Sequence, residues 1–99
     1  MQFTFFEQDP IALIEILKKA MGKRELAKIV DFSWTGERLM VTISKAGKTT
    51  LEFSKNDIPN GSRYRMEKEK IAFSHRIFKK EVTEKIVNLI EQIGGQMES

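Results

Sequence analysis

Val30-Asp31-Phe32-Ser33-Trp34-Thr35, Gly36-Glu37, Arg38-Leu39-Met40-Val41-Thr42-Ile43-Ser44, Lys45-Ala46-Gly47, Lys48-Thr49-Thr50-Leu51-Glu52-Phe53: these consecutive segments decide the fold. Val30, Phe32 and Trp34 alternate with polar residues, as do Leu39, Val41 and Ile43, and then Thr49, Leu51 and Phe53. A period of two marks strands with one buried face. Thr35 to Arg38 and Lys45 to Lys48 carry turn chemistry between the runs. Three strands joined by tight turns predict an antiparallel meander.

Upstream, Asp9-Pro10 supplies a helix start, because the aspartate accepts from an orphan amide and proline has no N–H to leave unpaired. Ile11, Leu13, Ile14, Ile16, Leu17, Ala20 and Met21 cover more than half of that helix, and Gly22 stops it. A stripe this wide predicts burial against a sheet, with one flank left for a second surface. Before it, Gln2 to Glu7 alternates poorly but is rich in phenylalanine, at Phe3, Phe5 and Phe6, which favours a short strand. Lys23 to Lys28 stays unassigned.

Downstream, the turn formers between Ser54 and Ser62 predict a loop of about nine residues. Arg63 to Phe73 reads as strand, in the form of one strand with a bulge, because Tyr64 and Met66 alternate; a hairpin turning at Glu67-Lys68-Glu69-Lys70 and an early start to the last helix are the other readings. Phe78, Val82, Ile86, Leu89, Ile90 and Ile93 form the stripe of a last helix that Gly94-Gly95 ends. The expectation is an α+β, two-layer sandwich, with an antiparallel sheet of 3–5 strands and two helices on one face, in the order β-α-β-β-β-(β)-α. Residues 1–95 make one domain, and 96–99 a frayed C-terminal tail.

The helix, meander, helix order resembles that of double-stranded-RNA-binding domains and their relatives. The likeness runs from Pro10 to Gly95 in element order. Where that family opens its second helix with Lys-Lys-Ala-Lys, this chain has Lys79-Lys80-Glu81-Val82, so none of the family's functional residues carries over.

Composition excludes several chemistries. With no cysteine and one histidine, disulfides, thiolate nucleophiles and zinc sites built on Cys or on several His are ruled out within the chain. No cofactor and no metal are expected, since Glu81, Glu84 and Glu91 lack matching carboxylates and Gly94-Gly95 follows a helix instead of opening one. The absence of a long apolar run predicts a cytoplasmic protein with no membrane contact.

The net charge of +3 is unevenly spread: residues 58 to 80 carry seven basic and two acidic side chains. Arg63, Tyr64, Arg65, Lys68, Lys70, His75, Arg76, Lys79 and Lys80 are therefore the candidate nucleic-acid or anion site. Arginine grips phosphate and an aromatic ring stacks a base. His75 could act as acid or base, but no partner stands near it in sequence, and Ser74 reads as a helix cap. Trp34 reads as core through its alternation with Phe32, with an exposed strand-end contact as the other possibility. The leading expectation is a non-enzymatic regulatory or assembly module that binds a protein partner, possibly itself, through a sheet edge or the second flank of the first helix. An RNA- or DNA-binding module comes second, and an enzyme built on His75 third.

Overall fold

The computed structural model describes residues 1–76 and 79–98. Its elements are β1 (Gln2–Phe5), α1 (Pro10–Met21), α2 (Glu25–Ile29), β2 (Val30–Thr35), β3 (Arg38–Ser44), β4 (Lys48–Ile58), β5 (Gly61–Lys70), a 3-10 turn (Phe73–His75), α3 (Lys79–Gln92) and β6 (Gln96–Glu98). All six strands form one antiparallel sheet in the order β2-β3-β4-β5-β1-β6. The expected meander is β2 to β4. Beyond it β5, β1 and β6 extend the sheet, so the architecture is α+β, with six strands and three helices among the described residues.

Local chemistry accounts for the connections. Gly36 and Glu37 both have positive φ, 56° and 64°, as a two-residue primed hairpin turn requires. Asp9 caps α1 by accepting from the Ile11 amide at 2.9 Å, and Pro10 occupies the first turn. Lys23 to Lys28, unassigned from sequence, is a short link to α2 followed by most of that helix.

The buried side chains of the strands alternate onto one face. Phe3, Phe5, Phe32, Val41, Phe53 and Tyr64 are among them, and they join Leu13 and Leu17 of α1 and Ile86 and Leu89 of α3 in a single core. Each such apolar side chain contributes roughly 1.5–3 kcal/mol by leaving water. Phe3 stacks on Tyr64 at 5.1 Å between centroids and meets Phe53 edge-on at 5.7 Å. Of the α3 stripe, Phe78 lies outside the described residues.

Three expectations are corrected. Among the described residues the sheet has six strands instead of 3–5, and there are three helices instead of two, because α2 and the edge strand β6 are too short to show a period. The loop from Ser54 to Ser62 is mostly strand: β4 continues to Ile58, and only Pro59 and Asn60, the latter at φ 67°, make the turn. Pairing with β5 holds Lys55, Asn56 and Asp57 extended against their turn preference. Of the expected tail 96–99, Gln96–Glu98 pairs with β1 as β6, with Met97 opposite Phe3. The neighbouring strand edge supplies the order that sequence propensity does not.

Arg63 to Phe73 is strand as far as Lys70, in the form of one strand with a bulge, and the hairpin and early-helix readings fall away. Gly61–Lys70 is one strand with an irregularity: Phe53 pairs with Met66, but the next residue, Glu52, pairs with Lys68. Glu67 is the extra residue of a bulge. Because side chains alternate, this insertion turns Lys68 and Lys70 away from the face that Tyr64 and Met66 occupy. They lie beside Glu52 and Thr50 on the open face of the sheet.

Candidate functional site

The structure divides the nine candidate residues. Arg63 and Arg65 stand on the open sheet face, and each faces a carboxylate: Arg63 meets Glu98 at 3.3 Å and Arg65 meets Glu67 at 3.4 Å. The Ser54 hydroxyl, donating at 2.8 Å, and then Arg65 hold the Glu67 carboxyl below its usual range. Lys68 and Lys70 lie further along β5. Arg76, Lys79 and Lys80 are exposed at the start of α3, where Lys79 reaches Glu69 at 2.9 Å.

Tyr64 is absent from this surface. It is 0% exposed, so its ring cannot stack a base, and its hydroxyl has no hydrogen-bond partner among the described residues. Burial first, then the carboxylates of Asp57 and Asp9, push its ionisation well above the ordinary value of 10.0. The folded chain keeps that proton at pH values where the unfolded chain loses it. The associated stability is complete below pH 10 and lost as pH rises above it. Tyr64 is the one tyrosine, so phenolate absorbance reports on it alone. We expect that absorbance to stay low past pH 10 and to rise only as circular dichroism records unfolding; normal titration of an intact fold would refute the burial argument.

His75 is also buried, and its environment is structural. The Ala72 amide donates to Thr49 Oγ1 at 3.0 Å, and Thr49 Oγ1 stands 2.6 Å from His75 Nδ1. His75 Nε2 meets the Lys45 carbonyl, which can only accept. Nε2 therefore carries a hydrogen and donates there, and Nδ1 is engaged by the Thr49 hydroxyl. Ser74 adds a bond from its hydroxyl to the Ala46 carbonyl at 2.5 Å. Together they pin the 3-10 turn to the β3–β4 turn, and no ring nitrogen is left for acid–base work on a substrate.

That junction borders a cleft of about 360 Å³ whose walls include Ile29, Ile43 and Val82, with Lys45, Glu81 and Lys85 among its lining residues. Lys45 and Lys48 of the β3–β4 turn thus join Lys70 and Lys80 at one end of the molecule. None of these four lysines has an ion-pair partner among the described residues. Sequence reasoning missed Lys45 and Lys48 because they lie outside the basic segment.

The opposite end is apolar and acidic. Phe6, 62% exposed, and Ile11, 50% exposed, flank the link between β1 and α1. The Phe6 ring lies 4.2 Å from Phe5 between centroids, and its edge stands over Gly94, where an added Cβ would be 3.9 Å away. The link itself is tied down. The Asp9 amide donates to Glu7 at 3.1 Å, and Gln8 donates to the Ile58 carbonyl at 3.1 Å. Glu7 and Asp9 have no cationic partner among the described residues, whereas Asp57 nearby on the β4–β5 hairpin is paired with Lys55. Hydrogen bonding from Lys55 holds the Asp57 carboxyl below its usual range.

No group of His, Asp or Glu side chains that could hold a metal is found among the described residues, and no described helix is long and apolar enough to cross a membrane. No family model, curated protein or solved structure matches the chain.

Proposed function

We propose that the chain is a non-enzymatic assembly module that binds a protein surface, foremost a second copy of itself, through Phe6 and Ile11. The carrying observation is their exposure: they are the large hydrophobic side chains left open among the described residues. A ring held by an ordered backbone offers apolar area at small entropic cost, which is how aromatic anchors work at interfaces. The remaining flank of α1 offers less, since Ile16 and Ala20 pack partly against the core. The sheet edges are weaker supports. β6 has three residues, and the exposed Asp31 of β2 is engaged by Lys18 at 3.7 Å.

Light scattering on a dilution series tests this reading. The native chain is expected to gain mass with concentration. Phe6→Asp is expected to remain monomeric while its unfolding free energy stays within about 1 kcal/mol of the parent, because an exposed ring contributes little to the core. A native chain that stays monomeric to millimolar concentration removes the self-binding reading. RNA or DNA binding stands second, supported by the unpaired lysines at the cationic end, but without Tyr64 as a stacking group.

A further inference from the structure

The two ends are unlike in charge and shape, and β5 separates them. Its first residues lie beside Phe5, where Ser62 pairs with it, and its last, Lys70, pairs with Thr50 near the β3–β4 turn. Ten strand residues span about 30 Å. One end presents exposed Phe6 and Ile11 beside the unpaired carboxylates Glu7 and Asp9. The other presents a concave apolar cleft beside the unpaired Lys45 and Lys48.

We infer that copies of this chain join head to tail, with Phe6 and Ile11 of one entering the cleft between α3 and the β3–β4 turn of the next. The inference rests on the self-binding reading above and adds the receiving surface. Apolar side chains leave water against Ile29, Ile43 and Val82, while Glu7 and Asp9 approach Lys45 and Lys48. Glu81, the carboxylate in the cleft lining, is already engaged by Lys85 at 3.6 Å.

The alternative two-fold contact, apolar end against apolar end, sets Glu7 and Asp9 against the same residues of the other copy. Like charges brought together across an interface are penalised, so the head-to-tail arrangement is favoured. Such a contact leaves a free head and a free tail after each addition, and the assembly grows beyond two copies.

A complementation experiment in sedimentation velocity decides the matter. Phe6→Asp destroys the head and leaves the tail; the double variant Lys45→Glu/Lys48→Glu destroys the tail and leaves the head. Both lysines are exposed, Lys45 in the turn and Lys48 at the first position of β4, and thermal unfolding verifies that the variants keep the fold. The native chain is expected to form a series of species that shortens as salt rises. Each variant alone is expected to lose affinity at least tenfold, and the two mixed are expected to give one-to-one dimers and nothing larger. Glu7→Lys, which also weakens the native contact, should regain it when mixed with the double lysine variant. If the double lysine variant associates as the native chain does, the cleft is not the receiving surface and this inference falls, while self-binding through Phe6 stands. A strictly dimeric native chain overturns the head-to-tail inference in the same way. A monomeric native chain overturns both.

Discussion

Gly61→Ala is expected to cost more than about 3 kcal/mol, a loss in the range reserved for a named steric or electrostatic fault. The reason lies in backbone, not side-chain, packing. A Cβ on Gly61 would overlap the Phe5 carbonyl oxygen and stand 3.1 Å from the carbonyl carbon and 3.2 Å from Phe6 Cα. No rotamer change relieves a collision with main chain, so β1 and β5 must separate where Phe5 pairs with Ser62. At about 4–8 °C per kcal/mol for a domain of this size, the unfolding midpoint should fall by more than about 12 °C. Gly36→Ala is the matched control. Its φ of 56° disfavours alanine, but nothing lies within 4 Å of the added atom, so about 1–2 kcal/mol is expected from conformation alone. Equal losses for the two variants in thermal and urea unfolding would show that close approach is not what Gly61 serves.

Removal of Glu67 and Lys68 together is expected to have an effect of similar size, and removal of Glu67 alone a small one. With the bulge residue alone deleted, Lys68 follows Met66 directly, and regular alternation keeps Lys68 opposite Glu52 and Lys70 opposite Thr50 on the open face. With both deleted, Glu69 follows Met66, and Lys70 takes the place opposite Leu51 on the core side. An unpaired ammonium group buried there costs several kcal/mol. The double deletion therefore either unpairs the end of β5 or unfolds the chain. Deletion of Glu67 alone loses bonds from Ser54 and Arg65 on an exposed surface, so about 1 kcal/mol is expected. Amide exchange of Glu69 and Lys70 distinguishes local opening from a global loss. Equal stability and protection of the two deletion variants would refute the facing assigned to the bulge.

The meander and the caps were legible because their determinants are local: alternating side chains, Gly36 in a turn, Asp9 before Pro10. What escaped was imposed from a distance. Gln96-Met97-Glu98 is too short to show a period, and its extension comes from the free edge of β1. Lys55 to Asp57 look like loop residues until Ser62 to Tyr64 lie beside them. The face that Lys68 and Lys70 occupy depends on one inserted residue, and no rule of alternation reveals where an insertion falls. Tyr64 shows the same limit in the site: interleaved with arginines it resembles a stacking platform, yet period two alone already sets it opposite to Arg63 and Arg65. Phe6 did carry a signal. Adjacent phenylalanines at the end of a strand cannot both face the core, and once Phe5 is buried its neighbour must point to water.

The position of β1 between β5 and β6 governs the order in which the polypeptide acquires structure. During synthesis β1 leaves the ribosome before either of its neighbours has been translated, so Phe3 and Phe5 wait as an unmatched greasy segment. Sequence separation favours early closure of the β2–β4 hairpins and late docking of β1, whose partners β5 and β6 lie far along the chain.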